Sequence, residues 1–599
     1  MRSFFSWLTR SRTQQPTSSQ IDVERKYVLA LRSRRIPTIT QLRYIPEYLS
    51  AHERYLLRLC GLLILASALF IGTRFWQNNV VFIPRQGGTY TGAMVGFPRY
   101  INPVLSVGNT TDSDLTELFF PGLMKTNEKN EFVPDLAESF TISEDARVYT
   151  FTLRDNLKWD DGEALTIDDI MFTFQLIQDA NYSSPWNYTF KDATFERTDD
   201  KTITVKLKEA STLFIGYFTI GILPAHRYSD VQPANFLLIE DNTRPTGAGP
   251  FRFKSLVRSK SGEIRSYALE RNPFYYGDQP YLDEIRFKFY ADLQSALDGL
   301  HNREAQGLAF VPPWYDSEKR VVADTVEKPL ILPQVTALFF NLKNDLFDNK
   351  DFRRALILAT DREEITNTVV GTDGLISEGP FAPGFIGFAP DLATRPRITT
   401  EASSLLDSVG YKIGDDGMRK KGSDTLRLVI TTVDEEPYRK ISKIIKQNWS
   451  ELGIEVEIQL VEASRFTQDV LKPRRYDILL YGELFDQTLD PYVFWHSSES
   501  LDPGLNFSIF INKKVDTLLE NSRTEWSREK RTENYQEVQR IIADELPAIF
   551  LYAPIYKYII PDDLQGIIIG NVLSPAERFK NISQWFIRTK PVLKSSLEQ

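Results

Sequence analysis

The sequence predicts an α/β protein of roughly two to four domains that follows a single N-terminal transmembrane helix. The first observation is length, because 599 residues exceed what one hydrophobic core usually organises. The second is an uncharged apolar run over residues 59–73. The third is a regular alternation of strand and helix patterns over residues 426–483. Such alternation is typical of a parallel sheet covered by helices.

The apolar run predicts a membrane anchor over residues 55–76. The run extends from Leu56 to Trp76 if Arg58 and Arg74 direct their long side chains toward the lipid headgroups. About 21 residues of helix measure roughly 31 Å, which is enough to cross a bilayer. A buried core helix is the alternative, but the charged flanks and the lack of polar periodicity argue against it. We therefore expect this helix to contact the lipid bilayer.

The distribution of charge predicts how the anchor is oriented. Residues 1–58 hold eleven lysines and arginines but four acids, a net charge of +7, which leaves −16 for the rest of the chain. By the positive-inside rule, the basic tail over residues 1–54 stays in the cytoplasm. The chain then crosses the cell membrane once, and its main domain is extracytoplasmic. A cleaved signal peptide fits poorly because the basic leader is too long, and Cys60 starts the apolar run, unlike a lipidation site.

Strand and helix signals follow the anchor in alternation. Residues 148–153 and 202–207 alternate apolar and polar side chains, as half-buried strands do. Thr166 and Asp169 have the spacing of a capping box, which predicts a helix that runs to about Gln178. Both patterns indicate a mixed α/β region between the anchor and the second half of the chain.

Residues 426–483 predict a β-α-β-α-β unit with a parallel sheet. The strands are expected at 426–432, 454–460 and 476–481, and the helices at 437–452 and 464–472. In an open parallel sheet, ligands bind beyond the carboxyl ends of the strands. Because the residues from Gly482 to Asp486 follow the last strand, the pattern predicts that they line a ligand crevice.

The sequence lacks the motifs of the common enzyme and metal-site classes. It has no Gly-x-Ser-x-Gly elbow, no His-Glu-x-x-His and no cysteine pair, and its four histidines stand apart. The acids between Asp160 and Asp169 do not have calcium-loop spacing, and a turn followed by a helix cap explains them better. A net charge of −9, without a basic block beyond the N-terminus, disfavours nucleic acid as a partner. We therefore expect no catalytic residue, no metal and no cofactor.

A series of motifs occurs in a fixed order within residues 88–590. They include FVPDLAES at 132–139, WDDG at 159–162, PTGAGPF at 245–251, LERNPFYYG at 269–277, the long segment 338–365, LDSVGY at 406–411 and DPYVFWHSSES at 490–500. Together they resemble the signature of the family 5 extracellular solute-binding proteins, the peptide and nickel group that serves ABC transporters. The segment from Arg303 to Gln306 departs from the Gly-Glu-Ile-Asp of that family, and the anchor departs from its many lipoprotein or free members.

The resemblance implies a type II periplasmic-binding-protein-like fold with two lobes joined by a hinge. It implies three domains, two of which are formed by more than one chain segment. The expected division is a cytoplasmic tail at 1–54, the anchor at 55–76, a linker at 77–87, domain I at 88–140, 243–333 and 550–590, domain II at 141–242, domain III at 334–549 and a terminal tail at 591–599.

The resemblance also implies a function and a site. Peptides are expected to bind between the lobes, which close around them and deliver them to the permease subunits of an ABC importer. In relatives, an aspartate shortly before an acid–proline pair binds the ammonium terminus of the peptide. Here Asp486 precedes Asp490 with a spacing one residue longer than the common form. The expected ligand-binding residues are Asp486, Phe485, Glu483, Asp490 and Trp495, with Asp490 and Glu483 as rivals for the ammonium role.

Three alternatives remain open from the sequence. The chain could be a ligand-sensing receptor or scaffold that uses its basic cytoplasmic tail and does not serve transport. It could bind a metal chelate of the nickel type, in which case His496 is the one histidine near the expected site. An enzyme is a third class, although no motif supplies a context that would orient a substrate.

Overall fold

The computed structural model describes residues 49–315, 322–392 and 394–597. The cytoplasmic tail expected over 1–54 therefore lies almost wholly outside the described residues. The chain divides into two compact units, one from Pro84 to Thr589 and one that combines the segments before and after it.

The regular elements of the described residues are as follows. The strands are β1 (Val80–Pro84), β2 (Thr89–Val95), β3 (Met124–Thr126), β4 (Phe132–Pro134), β5 (Ala137–Ile142), β6 (Val148–Leu153), β7 (Thr194–Arg197), β8 (Thr202–Lys206), β9 (Phe251–Arg258), β10 (Ile264–Arg271), β11 (Glu284–Tyr290), β12 (Gly307–Val311), β13 (Thr325–Ile331), β14 (Gln334–Phe340), β15 (Gly374–Ile376), β16 (Lys412–Ile413), β17 (Arg419–Lys421), β18 (Asp424–Thr425), β19 (Arg427–Val433), β20 (Glu455–Val461), β21 (Ile478–Leu484), β22 (Ala548–Pro561) and β23 (Thr589–Leu593). The α-helices are α1 (Ala51–Asn79), α2 (Thr110–Phe119), α3 (Ile167–Gln178), α4 (Asn187–Phe190), α5 (Ala225–Tyr228), α6 (Leu293–His301), α7 (Lys350–Ala359), α8 (Arg362–Val369), α9 (Thr399–Ser408), α10 (Tyr438–Ser450), α11 (Ala463–Phe466), α12 (Tyr492–Trp495), α13 (Lys513–Thr524) and α14 (Arg528–Glu545).

Helix α1 contains the expected anchor. It has 29 residues, begins at a capping box between Ser50 and Glu53, and has no buried residue. By length and composition it can cross a membrane, with a mean hydropathy of 2.1 over its most apolar window. The helix ends at Asn79, and β1 then pairs with β23. The expected linker over 77–87 therefore contains the end of a helix and a strand.

The larger unit is organised around one long mixed sheet. Its strand order is β20-β19-β21-β14-β22-β12-β2-β11-β10-β9, with β13 and β15 also paired to β22. Strand β22 pairs through Ala548–Tyr552 with β14 and through Ile555–Pro561 with β13. The chain thus passes between two halves of the sheet at two places, within β22 and between β13 and β14. These two crossings are the geometry of a hinge.

The hydrophobic cores divide the unit into two lobes at these crossings. We call residues 84–332 and 555–589 the first lobe, and residues 333–554 the second lobe. The first lobe holds one large core that extends from Tyr90 to Trp585. In the second lobe, two further cores cover opposite faces of the β14, β19 and β21 sheet. Because most buried apolar contacts fall within a lobe, the lobes are separate packing units.

The predicted β-α-β-α-β unit and the parallel direction of its strands are confirmed. Strand β19 pairs in parallel with both β20 and β21. The last strand runs further than expected, however, and ends at Leu484 instead of residue 481. The reason is β14, which pairs antiparallel with β21 as far as the Gln334–Leu484 pair and so satisfies the backbone of the extra residues. Gly482 and Glu483 are therefore strand residues.

A second sheet of four strands, in the order β5-β6-β8-β7, belongs to the first lobe. Strand β6 has the expected bounds, and the capping box of Thr166 and Asp169 opens α3 as expected. Asp169 also accepts a hydrogen bond from the Ala225 backbone at 2.8 Å. The Asp161 carboxylate lies 2.9 Å from the His226 ring. These partners agree with the turn-and-cap interpretation of the acids between Asp160 and Asp169.

Candidate functional site

A cavity of about 510 Å³ lies where the two lobes meet. Most of its wall belongs to the first lobe, while Leu484 and Gln487 close it from the second lobe. Its polar lining includes Ser106, Asn109, Thr116, Glu117, Lys125, Asp135, Tyr275, Tyr276, Glu577 and Lys580. The volume is within the range of about 300–1,000 Å³ that small-molecule sites occupy.

Helix α2 forms one wall of the cavity and is held by a close backbone contact. A Cβ atom on Gly247 would lie 2.3 Å from the Phe119 carbonyl oxygen, and one on Gly249 would lie 2.3 Å from that of Leu118. The Gly249 amide donates a hydrogen bond to the Phe119 carbonyl at 2.8 Å. The glycines of the PTGAGPF motif therefore fix the end of α2, and with it the position of Glu117.

Glu117 is the carboxylate in this cavity that has no partner among the described residues. Its side chain is open to water within the cavity, yet protein surrounds it on all sides. The pKa of Glu117 is raised to about 7, first by burial and then by the nearby Glu577, Asp135 and Asp114, while Lys580 opposes the rise. Among the described residues, no cation contacts this carboxyl group directly.

The other charged groups around the cavity already have partners. Lys125 Nζ forms an ion pair with Asp135 at 2.9 Å. Glu577 accepts hydrogen bonds from the Leu573 amide and the Thr126 hydroxyl, both at 2.8 Å. Lys580 Nζ donates to the Asn127 carbonyl and the Asn130 side chain, both at 3.1 Å. Neither lysine is therefore positioned to neutralise Glu117 directly.

The hydroxyl group of Thr116, which is 7% exposed, also lacks a hydrogen-bond partner among the described residues. The Tyr276 hydroxyl lies in the same wall and interacts with Asp135. A buried hydroxyl without a partner costs roughly 1–3 kcal/mol. The cavity thus offers a ligand both a carboxylate and neutral hydrogen-bonding groups.

Asp486 contacts the first lobe and lies next to Gln487, which lines both this cavity and a smaller one of about 350 Å³, although Asp486 itself lines neither. The Tyr217 hydroxyl, from the first lobe, donates to Asp486 Oδ2 at 2.9 Å. The amide and hydroxyl of Thr488 both donate to Oδ1, at 2.9 Å and 2.5 Å. A carboxylate offers about four acceptor positions, so about one remains, on Oδ2. Burial raises the pKa of Asp486, and these hydrogen bonds oppose that rise.

The remaining four expected ligand-binding residues occupy other environments. Asp490 pairs with Arg523 at 2.7 Å and accepts a hydrogen bond from the Tyr492 amide, the first residue of helix α12, at 3.0 Å. Phe485 stacks on Phe381 within a core of the second lobe.

Glu483 and Trp495 are both 1% exposed. Neither carboxylate oxygen of Glu483 has a hydrogen-bond partner among the described residues. Burial raises the pKa of Glu483 well above its usual range, and the Trp495 indole opposes this rise. Burial inside the second lobe therefore disfavours the charged form of Glu483.

His496, the histidine of the nickel-type alternative, stacks on the Tyr492 ring with centroids 4.0 Å apart. Its Nδ1 lies 2.8 Å from the Ser498 hydroxyl. Among the described residues, no group of three or more His, Cys, Asp or Glu side chains is arranged to hold a metal ion.

Sequence reasoning missed Glu117 and Tyr217. Helix α2 has an ordinary amphipathic pattern, in which Leu115, Leu118 and Phe119 are buried and Glu117 falls at the spacing of a surface position. Tyr217 lies in a 3₁₀ segment rich in aromatic residues, a composition typical of a buried core. The one available signal was the presence of three acids in a helix of ten residues.

Comparison with known proteins gives one family match. The model of the bacterial extracellular solute-binding proteins, family 5 (middle region), matches residues 131–503, which is more than half of the chain.

Individual relatives cover most of the chain. The oligopeptide-binding protein AppA of Bacillus subtilis is 27% identical over 514 residues, which are 84% of this chain and 92% of AppA. The structure of that protein with a nonapeptide has a TM-score of 0.67 at 25% identity, covering 84% of this chain and 100% of the other. NikZ of Campylobacter jejuni, solved with Ni(L-His), has a TM-score of 0.67 at 23% identity, covering 83% and 99%. This last likeness concerns the fold.

Proposed function

Since the chain belongs to the bacterial extracellular solute-binding proteins of family 5, we propose that it binds peptides between its lobes and delivers them to the permease subunits of an ABC importer. The observation that carries the proposal is the cavity between the lobes, to which both lobes contribute residues. A ligand that contacts both lobes favours the closed arrangement by its differential affinity. The oligopeptide-binding relative with 27% identity supports peptides as the ligand class.

Within this proposal, Asp486 receives the ammonium terminus of the peptide. Its free acceptor position and its place between the lobes suit a charge-assisted hydrogen bond to a desolvated cation. Asp490 and Glu483 are weaker candidates, because the first is paired with Arg523 and the second is enclosed in the second lobe. Phe485 and Trp495 shape the site by packing beneath it.

Lobe closure around peptides is expected to be measurable in solution. We expect the compact unit from Pro84 to Thr589 to show a smaller radius of gyration by small-angle scattering when a mixed peptide pool is added. Mass spectrometry of ligands that co-purify with the full chain should identify peptides. A scattering curve that stays unchanged at saturating peptide, together with co-purified ligands of another class, would contradict the proposal.

We also propose that α1 is an uncleaved anchor with its N-terminus in the cytoplasm and the binding unit outside. The apolar helix and the net charge of +7 in residues 1–58 support this orientation. N-terminal sequencing of the mature protein is expected to find residues that precede Leu59. A mature terminus at Phe75 or later would show instead that the helix is a cleaved signal.

A further inference from the structure

Glu117 differs from every other acid around the interlobe cavity. The Asp114 carboxylate is held by Arg578, Asp135 by Lys125, and Glu577 by two neutral donors. Glu117 alone among them projects into the open volume without a hydrogen bond or ion pair to a described residue. The unpartnered hydroxyl of Thr116, on the adjacent residue of α2, lies in the same wall.

We propose that this cavity selects peptides that carry a positively charged side chain, lysine or arginine, and that Glu117 forms the ion pair with that cation. The inference rests on the proposed peptide-binding function and deepens it by naming the ligand class. The chemistry of the wall supports a cationic group over a neutral or acidic one, because an added cation compensates a carboxylate that is otherwise unpaired.

The balance of charge in the cavity also favours a ligand with a positively charged side chain. Three carboxylates and two lysines line it, and both lysines are held by other groups. A neutral side chain would displace water from Glu117 without forming a hydrogen bond or ion pair to replace it. An acidic side chain would face like charges at short range. An ammonium or guanidinium group gains a charge-assisted hydrogen bond, and the unpartnered Thr116 hydroxyl in the same wall is a further acceptor.

The proposal predicts a measurable release of protons when a peptide with a basic side chain binds. The pKa of Glu117 is raised to about 7, with Asp114, Asp135, Glu577 and Lys580 as the charged groups that face it. A bound cation favours the carboxylate and lowers this pKa, so binding releases protons near neutral pH. A neutral side chain excludes water, raises the pKa further and takes protons up. The two ligand classes therefore differ in the sign of proton exchange.

The test is calorimetry on the full chain in detergent with three peptide pools of equal length. The pools carry lysine, norleucine or glutamate at one position and are otherwise identical mixtures, so lysine and norleucine differ mainly in charge. We expect the lysine pool to bind about 10-fold more tightly than the norleucine pool, and the glutamate pool to bind most weakly. Titration in two buffers of different ionisation enthalpy should show proton release for the lysine pool alone.

Glu117→Gln keeps the shape of the side chain and removes its charge, so it is expected to abolish both the lysine preference and the proton release. Glu117→Asp should retain part of the lysine preference and part of the proton release. Glu128→Gln is the matched control, since it makes the same change at an exposed position outside the cavity and should alter neither.

The outcomes separate this inference from the proposed function. Equal binding of the lysine and norleucine pools by the wild type would overturn the basic-side-chain preference and leave peptide binding intact. If no pool binds at all, peptide binding itself fails and the preference fails with it. The final comparison is between peptides with a free and with an acetylated amino terminus. If Glu117→Gln abolishes discrimination against acetylated peptides but keeps the lysine preference, Glu117 binds the terminal ammonium and the inference is wrong.

Discussion

Asp486→Asn is expected to weaken the binding of peptides with a free amino terminus by about 30-fold or more. The substitution leaves the size of the side chain unchanged but removes the charge that would pair with the ammonium group. Removing one partner of a desolvated charge pair costs on the order of 2–5 kcal/mol, because the other charge stays buried and unpaired. N-acetylated peptides should bind poorly to the wild type and lose little more in the variant. Titration calorimetry with matched free and acetylated peptides measures both effects.

The contact between Tyr217 and Asp486 supplies the control for this experiment. If Asp486 acts only by joining the lobes, Tyr217→Phe should reproduce the loss, and free and acetylated peptides should lose affinity equally. If Asp486 binds the ammonium group, Tyr217→Phe should keep the preference for a free amine. Asp490→Asn and Glu483→Gln test the two rivals. The assignment is wrong if Asp486→Asn retains the free-amine preference of the wild type.

Loss of either partner of the Asp114–Arg578 ion pair is expected to reduce the free energy of unfolding by about 3–5 kcal/mol. The two guanidinium nitrogens Nη1 and Nη2 contact both Asp114 oxygens at 2.5 Å. The side chains are 3% and 6% exposed for Arg578 and Asp114, so a remaining partner would stay buried without compensation. Asp114→Asn and Arg578→Met should each lower the midpoint of urea unfolding of the Pro84–Thr589 unit.

Two comparisons show whether burial is the cause of this effect. The exposed pair of Arg540 with Asp391 is worth roughly 0–1 kcal/mol, so Asp391→Asn should change stability little. The double variant of Asp114 and Arg578 should recover part of the loss, because it leaves no buried charge unpaired. A loss of similar size in Asp391→Asn, or no recovery in the double variant, would contradict the explanation.

Local sequence patterns predicted many elements because their causes are local. The alternation over residues 148–153 and the Thr166–Asp169 spacing involve neighbours within one strand or one turn, and both appear as expected. The parallel pairing of β19 with β20 and β21 also followed from the order of elements along the chain. Where a distant strand intervened, the prediction was less accurate. Strand β21 continues through Leu484 because β14 supplies hydrogen bonds to it.

By itself, the sequence determined the long apolar N-terminal helix, the α/β class and, through ordered motifs, the family. These features depend on composition, on periods of two or 3.6 residues and on spacing within short segments. The tertiary structure alone decided which acids are available to a ligand. It placed Asp486 against Tyr217, 269 residues away along the chain, enclosed Glu483 and paired Asp490 with Arg523. It also left Glu117 in the interlobe cavity without a hydrogen bond or ion pair to any residue that the structure describes. Whether a carboxylate is free depends on what the fold brings within a few ångströms of it, and no local pattern in the chain carries that information.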